Sequence, residues 1–207
     1  MELLEFAGPD TGATSLSPSQ FRSIRATAYQ TFGLDLKPGK EALVSARISK
    51  RLRELGLRKV DEYLRLVETD ATGGELVRLI DALTTNYTSF GREPAHFDVL
   101  RREILLHEGR RARDLKIWSA GCATGEEPYT ILMHVVDTLG EAALSTVRLV
   151  ASDISNKALE AARAGVYPRE RVASLPQPWV HRCFQQGTGA SHGFVRIKEN
   201  LRAAVDF

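Results

Sequence analysis

A short segment near the middle of the chain carries the residues with the clearest chemical potential: Gly121, Cys122, Ala123, Thr124, Gly125, Glu126 and Glu127. Glycines let the backbone approach a ligand closely, and a helix N-terminus offers unpaired N–H groups. A glycine segment that joins a strand to a helix is therefore typical of nucleotide-binding folds. This one lacks the Lys-Ser/Thr pair of a phosphate-binding P-loop and the third glycine of a dinucleotide fingerprint. We therefore predict a nucleotide-type pocket of another kind.

The two carboxylates that end this segment favour a ligand with positive charge. S-adenosylmethionine carries both a sulfonium and an ammonium group, which Glu126 and Glu127 would attract. Glutamates in the first turn of a helix are also favoured by the helix dipole, so a purely structural role is equally open. The sequence does not decide which of the two would contact a cofactor.

A third carboxylate, Asp153, lies at the end of the next predicted strand, 28 residues beyond Gly125. In nucleotide-type folds an acid at this place accepts hydrogen bonds from ribose hydroxyls. Asp153 could instead cap the following helix, although Ser155 or Asn156 could also supply that cap. We therefore predict that Asp153 binds the cofactor.

Alternating strand and helix patterns surround these residues and predict an α/β fold with a parallel sheet. The strand-like runs are 115–118 and 147–151, and the helical patterns are 128–139 and 157–164. Beyond Tyr167 the chain becomes rich in proline and glycine. There we expect a small antiparallel β subdomain over about residues 180–207, with a hairpin between 182–185 and 194–197.

The first third of the chain has the spacing of amphipathic helices. Ser17, Pro18 and Gln20 form a helix start with a capping box, and helical patterns follow as far as Leu83. We predict four regions: a flexible leader over 1–16, an all-α domain over 17–83, a linker over 84–97 and a Rossmann-like domain over 98–207.

The predicted linker contains a dense polar segment in which Asn86, Thr88 and Arg92 lie close together. Junctions between domains are favoured places for ligand pockets. The alternative is a solvated linker whose polar residues form caps and turns. After Phe97 a helix should run to about His107, and the basic stretch 110–113 follows it.

Charge is distributed unevenly along a chain whose formal net charge is only +2. Residues 37–59 hold eight basic and two acidic side chains, so the remainder is net acidic. Arg47, Arg51 and Arg53 in the second predicted helix are candidates for binding an acidic helical partner. An ordinary solvated basic face is the alternative. Nucleic acid is a less favoured partner, because no aromatic residues are interleaved with a basic groove.

Composition indicates a globular protein. With 43% hydrophobic and 26% charged residues, a chain of 207 residues can bury a core. No apolar stretch approaches the roughly 20 residues needed to span a bilayer, and the N-terminus lacks a signal pattern. Cys122 and Cys183 form neither a CxxC pair nor a disulfide framework, which predicts a reducing compartment and no metal site. We expect a cytoplasmic monomer that does not insert into the membrane.

Several segments together resemble those of the CheR-type chemoreceptor glutamate methyltransferases. The resemblance spans nearly the whole chain from about Ser17, with its motifs in the family's order. These motifs are 46–56, 84–93 with His96 and Phe97, the glycine segment 121–125, 151–154 and 161–167. The resemblance implies an N-terminal all-α domain followed by a Rossmann-like class I methyltransferase domain. It also implies methylation of glutamate carboxylates on the cytoplasmic helices of chemoreceptors, with S-adenosylmethionine as cofactor and S-adenosyl-L-homocysteine as product.

The resemblance assigns roles to particular residues. In the family, an Asn, a Thr and an Arg of the linker, a glutamate after the glycine segment and the aspartate of the second strand bind the cofactor. These positions map to Asn86, Thr88, Arg92, Glu126 or Glu127, and Asp153. Gly121 belongs to the same cofactor-binding set. Arg92 is also expected beside the reacting atoms, as the candidate catalytic residue.

Two departures from the family pattern bear on these expectations. Gly91 stands where the family usually has a second phenylalanine, which predicts looser packing of the linker. The chain ends at Phe207, before an Asn-Leu pair and a strand that supply further contacts in the family, so we expect the C-terminal part of the sheet to be missing.

Two alternatives stay open: a signalling relative that binds the cofactor without turnover, and a methyltransferase for RNA or a small molecule. The turn 186–189 resembles that of members that bind a receptor's C-terminal peptide as an extra strand.

Overall fold

A computed structural model of the chain describes residues 15–106 and 115–207. The chain divides into two compact units, one ending at Thr84 and the other beginning at Thr85. Most of the expected leader, the expected helix end at His107 and the basic stretch 110–113 lie outside the described residues. Within the described part, no helix is long and apolar enough to cross a membrane.

The first unit contains four helices in its described part. Their bounds are Pro18–Phe32 (α1), Glu41–Leu55 (α2), Val60–Thr69 (α3) and Gly74–Leu83 (α4). The predicted capping box at the start of α1 is confirmed. Ser17 Oγ accepts a hydrogen bond from the Gln20 amide at 3.2 Å, and the Gln20 side chain accepts one from the Ser17 amide at 2.9 Å. These two bonds satisfy amides that a helix start otherwise leaves unpaired.

Apolar side chains from all four helices form the core of this unit. The most deeply buried include Ile24, Ala28, Ile48, Tyr63, Leu79 and Ile80. Within each helix the buried residues recur three and four positions apart, which is the spacing of one helix face. Removing this apolar surface from water is the main force that holds the helices together.

One ion pair lies at the edge of this core and joins α2 to α4. The Arg51 guanidinium donates to both carboxylate oxygens of Glu75, at 2.8 and 2.7 Å, and donates once to Glu54 at 2.9 Å. The side chains of Arg51 and Glu75 are only 13% and 9% exposed. These hydrogen bonds hold the pKa of the Glu75 carboxyl below its ordinary value. The pair is therefore an internal contact of the helical unit.

The second unit combines two sheets with short helices. The strands are Lys116–Ala120 (β1), Arg148–Ser152 (β2), Val166–Pro168 (β3), Phe184–Gln186 (β4), Phe194–Ile197 (β5) and Val205–Asp206 (β6). The helices are Pro94–Val99 (α5), Glu126–Leu139 (α6), Asn156–Ala164 (α7), Gln177–Cys183 (α8) and Glu199–Arg202 (α9). A π-helical segment, Leu100–Leu105, continues α5, and short 3₁₀ helices cover Glu141–Ser145, Arg169–Val172 and Gly189–Ser191.

The larger sheet has the order β1-β2-β6, and its neighbouring strands are parallel. Lys116 lies opposite Arg148 at one end of the β1–β2 pair, and Ala120 lies opposite Ser152 at the other. Helix α6 follows β1 and helix α7 follows β2. The predicted βαβ arrangement is confirmed. The glycine segment and Asp153 follow the carboxyl ends of two parallel strands, so both lie at that same edge of the sheet, which is called the sheet edge below.

The smaller sheet is antiparallel, with the order β3-β5-β4. The predicted hairpin is present as β4 and β5. Strand β3 was not predicted, because its three residues end in Pro168 and carry no alternating pattern. Strand β6 belongs to the parallel sheet, so the antiparallel sheet takes in residues before 180 and does not extend to 207.

We predict that Glu75→Ala lowers the free energy of unfolding by about 3 kcal/mol, because it leaves the Arg51 charge largely buried without its main partner. The matched control is Glu54→Ala, which removes the 48% exposed partner of the same arginine and should cost less than about 1 kcal/mol. The contribution of Glu75 should be complete above its ordinary pKa of 4.5 and should be lost as the pH falls below that value. Urea unfolding of the three proteins between pH 7 and pH 3 measures both effects. Equal losses for the two variants would contradict the prediction.

Candidate functional site

The glycine segment is held against the end of β2 by its backbone amides. The carbonyl oxygen of Ser152 accepts hydrogen bonds from the amides of Gly121 at 2.8 Å and Cys122 at 2.9 Å. The next amide, that of Ala123, donates to Asp153 Oδ2 at 2.8 Å. Three successive N–H groups are therefore used inside the protein. They do not form the row of free donors that a phosphate cradle requires.

The backbone of this segment takes left-handed conformations at Gly121, Ala123 and Gly125, with φ of 76°, 48° and 94°. Gly125 is also confined by its neighbours. A Cβ there would lie 2.9 Å from Ala162 Cβ and 3.0 Å from Tyr167 Oη. Both the φ angle and this close approach require glycine at the start of α6. The segment is thus shaped by contacts within the protein as well as by any ligand.

Asp153 connects the two loops that follow β1 and β2. Its Oδ2 atom accepts from Ala123 and its Oδ1 atom accepts from the Ser155 amide, both at 2.8 Å. Ser155 Oγ caps helix α7 by accepting from the Ala158 amide at 3.1 Å, so the serine alternative for the cap is confirmed. Each oxygen of Asp153 can still accept one more hydrogen bond. Asp153 therefore has a structural task and retains acceptor capacity.

Glu126 and Glu127 are adjacent in sequence and have opposite environments. Glu126 is 0% exposed, and its carboxylate accepts from Arg171 and, at 2.6 Å, from Thr124 Oγ1. Glu127 is exposed, and Ser119 Oγ donates to its Oε1 atom at 2.7 Å. A carboxylate that is closed off from solvent cannot reach a ligand without rearrangement. The structure therefore favours Glu127 over Glu126 as a ligand contact.

The polar segment after Thr85 lies beside these loops. The Asn86 side-chain amide donates to Ser155 Oγ at 3.1 Å, which places Asn86 next to the Asp153 loop. The carbonyl oxygen of Thr88 accepts from Arg171 at 3.2 Å. These contacts bring Asn86 and Thr88 to the same edge of the sheet as Glu127 and Asp153.

Arg92 is exposed, and one of its terminal nitrogens donates to the carbonyl oxygen of Tyr87 at 3.0 Å. This bond folds the arginine back over its own turn. Within residues 15–106 and 115–207, the remaining N–H groups of its guanidinium have no partner. They are available to a carboxylate, which a guanidinium binds with two parallel hydrogen bonds.

Gly91 itself has open space beside it, as expected, since an added Cβ would meet no atom within 4 Å, but the turn around it is held by other contacts. Gly91 has φ of 66°, and its amide donates to Thr130 Oγ1 at 3.2 Å. The preceding residue, Phe90, is 4% exposed and packs edge-on against Tyr167 and Phe184, with ring centroids 4.9 and 5.5 Å away. Phe90 therefore supplies the apolar contact of this part of the segment, and the glycine permits a tight left-handed turn.

The chemistry available at this edge is binding and positioning. Burial raises the pKa of the Cys122 thiol to about 11, so it is protonated near neutral pH and is a poor nucleophile. Burial also raises the pKa of the Tyr167 phenol, whose hydroxyl donates to the carbonyl oxygen of Thr124 at 2.7 Å. Neither group can serve as a base at neutral pH. The site suits a reaction whose nucleophile arrives already ionised.

The three arginines predicted to bind a partner lie in the helical unit and differ in their surroundings. Arg53 is exposed, whereas Arg47 is half-buried and donates to the carbonyl oxygen of Leu83. Arg51 forms the internal ion pair with Glu75. Its placement argues against the predicted contact with an acidic partner, because binding there would require the Glu75 pair to break. Exposed Lys50 lies three residues from Arg53 and is a better candidate.

Four polar residues at the sheet edge were not predicted as part of the site: Ser119, Thr130, Ser155 and Arg171. For Ser155 the sequence indicates only a helix cap. Arg171 bonds to a glutamate 45 positions earlier, and no local pattern signals that contact. Ser119 and Thr130 lie within a strand and a helix, where periodicity identifies the element but not the hydrogen-bond partner.

Comparison with known proteins shows the family of the chain. The family model described as "CheR methyltransferase, all-alpha domain" matches residues 19–84, and the model described as "CheR methyltransferase, SAM binding domain" matches residues 86–207. The chain is similar to the "Chemotaxis protein methyltransferase" of Escherichia coli, with 41% identity over 95% of this chain and 67% of the relative. It is also similar to "Chemotaxis protein methyltransferase 2" of Pseudomonas aeruginosa, with 42% identity over 90% of this chain and 65% of the relative.

A third relative, the "Chemotaxis protein methyltransferase" of Borreliella burgdorferi, is 38% identical over 72% of this chain and 55% of its own length. The chain spans about two thirds of the length of the Escherichia coli and Pseudomonas aeruginosa relatives. The two family models together cover nearly all the described residues, in the order helical unit and then α/β unit. The chain therefore belongs to the CheR methyltransferase family, with an all-α domain followed by the S-adenosylmethionine-binding domain.

Proposed function

We propose that this protein transfers a methyl group from S-adenosylmethionine to glutamate side chains on the cytoplasmic helices of chemoreceptors. Its membership of the family supports the reaction class. The observation that carries the proposal is the pattern of charge at the sheet edge. There the amides of residues 121–123 donate to acceptors within the protein, while the carboxylate of Glu127 is exposed. Such an edge suits a cationic nucleoside better than a phosphate.

The residues at this edge fit the cofactor. Glu127 offers negative charge to its positive groups, and Asp153 keeps acceptor capacity for ribose hydroxyls. Asn86 and Thr88 lie at the same edge. Gly121 directly follows strand β1, and because it has no side chain it leaves room for a ligand beside the backbone. We propose these five residues as the cofactor contacts and assign Glu126 a structural role instead.

The proposed reaction needs positioning more than acid–base help. A substrate glutamate with an ordinary pKa of about 4.3 is already ionised at neutral pH. When bound, the cofactor supplies a methyl group on a positively charged sulfur, so transfer gives a methyl ester and a neutral thioether and moves no proton. Arg92 would hold the incoming carboxylate in line, through the guanidinium N–H groups that Tyr87 does not use.

The helical unit supplies the proposed docking surface for an acidic receptor helix. Exposed Lys50 and Arg53 lie on one side of α2, and half-buried Arg47 lies one turn before Lys50. A second proposed contact is a receptor C-terminal peptide, added as a strand to the antiparallel sheet, where β3 and β4 are the edge strands. We also propose, as the sequence leads us to expect, that the protein is cytoplasmic and monomeric.

Calorimetry should detect binding of S-adenosylmethionine and S-adenosylhomocysteine to this chain. We expect Glu127→Gln to weaken S-adenosylmethionine binding by about tenfold, or about 1.4 kcal/mol, because a charge attraction is lost. Glu160→Gln, which changes an exposed glutamate of α7, is the control and should bind as the unchanged chain does. A chain that binds neither compound would contradict the proposed cofactor, and unchanged binding by Glu127→Gln would remove its assigned role.

A labelled-methyl assay with a chemoreceptor cytoplasmic fragment should give base-labile methyl esters on the fragment. At saturating cofactor, Arg92→Ala should lower turnover by about 100-fold, because misplaced reactants lose the benefit of alignment. Arg102→Ala, an exposed arginine of the π-helical segment, is the control. Cofactor binding without transfer would favour a signalling role. Labelling of RNA or small molecules in place of the fragment would favour another substrate.

Receptor binding should depend on charge at the proposed docking surface. Reversing Lys50 and Arg53 together to glutamate should weaken binding of the receptor fragment by about tenfold at low salt, since two attractions become repulsions. Arg22→Glu on α1 is an exposed control. Repeating the titration with a fragment that lacks its C-terminal tail separates the helix contact from the peptide contact. Binding that is indifferent to the reversal would identify the basic face as ordinary solvated surface.

A further inference from the structure

Glu126 is more than a helix-start residue, because its buried carboxylate and its backbone carbonyl oxygen each connect the Thr88–Gly91 stretch to helix α6. One terminal nitrogen of Arg171 donates both to Glu126 Oε1 and to the carbonyl oxygen of Thr88, the latter at 3.2 Å. Separately, Thr130 Oγ1 donates to the Glu126 carbonyl oxygen at 2.6 Å and accepts from the Gly91 amide at 3.2 Å. Two bridging side chains thus tie this stretch to a single glutamate.

The two bridges differ in kind. Thr130 is 0% exposed and lies within α6, so its bridge is part of the helix itself. Arg171 lies in the 3₁₀ turn Arg169–Val172, and its side chain is 44% exposed while that of Glu126 is 0% exposed. A charge-assisted bond to a carboxylate shielded from water is much stronger than an exposed surface pair. Arg171 is therefore held in a fixed direction, toward the Thr88 carbonyl oxygen.

Packing of Phe90 alone does not replace the Arg171 bridge. Phe90 fixes the centre of the stretch between Tyr167 and Phe184, but an apolar contact allows rotation and sliding that hydrogen bonds forbid. Asn86 and Arg92, at the two ends of the polar segment, are the groups proposed to reach the cofactor and the substrate. Their positions depend on how firmly the residues between them are held.

We propose that Arg171 is a positioning residue: paired with the buried Glu126, it fixes Thr88 and through it the Asn86–Arg92 segment in the cofactor-binding arrangement. This inference rests on the proposed function, because it concerns the same cofactor site. Arg171 itself touches neither cofactor nor substrate in this proposal. It differs from a purely structural arginine in that its bond to Thr88, and not only its charge, is required.

The test separates the charge of Arg171, which pairs with Glu126, from its hydrogen bond to Thr88. The single variant Arg171→Met would leave a buried, unpaired carboxylate and lower stability for that reason alone. The double variant Glu126→Gln with Arg171→Met carries no unpaired charge, so most of that stability should return, while the donor to Thr88 is still missing. Arg169→Met is the matched control, since Arg169 is exposed in the same turn and bonds to the Gln186 side chain on β4.

Two measurements are made on the full chain and its variants. Hydrogen exchange without ligand reports how firmly residues 86–92 are held, and calorimetry gives the dissociation constant for S-adenosylhomocysteine. In the double variant we expect faster exchange in this stretch and about tenfold weaker binding. The control should match the unchanged chain in both.

The dissociation constant and the exchange rates together decide the role of Arg171. Binding of the double variant equal to that of the unchanged chain would overturn the positioning role, whatever the exchange rates. If the unchanged chain binds no S-adenosylhomocysteine, the proposed function fails, and the exchange rates alone then test the Arg171 bridge. Unaltered rates in 86–92 of the double variant overturn the bridge, and faster rates support it as a contact that holds the segment. Faster exchange together with weaker binding supports the whole proposal.

Discussion

The end of strand β2 is the constraint on which the rest of the α/β unit depends. Three successive amides, 121 to 123, leave β1 with no strand partner and must find acceptors. Ser152 provides one carbonyl oxygen for two of them, and Asp153 provides a carboxylate oxygen for the third. Because Ser152 is in the last pair of the β1–β2 register and Asp153 lies just beyond it, the glycine segment turns across the sheet edge. Asp153 then continues to the start of α7 through Ser155.

This use of the amides also determines the electrostatics of the site. A loop that presents free N–H groups attracts anions, whereas this one has its first three amides bonded to oxygen acceptors. The exposed group that remains beside it is the carboxylate of Glu127. A negative edge explains how a fold associated with phosphate ligands can instead suit a cofactor that carries positive charge.

Burial separates the tasks of like-charged neighbours at two places in the described residues. Glu126 and Glu127 have the same chemistry, yet one is 0% exposed and paired with Arg171 and the other faces solvent. In the helical unit, Arg51 is paired with Glu75 while Arg53, two residues later, is exposed. A buried charge requires a fixed partner, and an exposed one remains available to another molecule.

The sequence by itself determined the helix periods, the capping box at Ser17, the βαβ order and the family motifs, because these depend on local spacing and on short motifs. Only the tertiary structure decided which glutamate is shielded, that Asp153 bridges two loops, and that Arg171 reaches a residue 45 positions away. It also decided that the short strand ending in Pro168 pairs with β5. Local pattern specifies which element a residue joins. Burial and hydrogen-bond partners arise when distant segments pack together, and adjacent residues can then meet opposite surroundings.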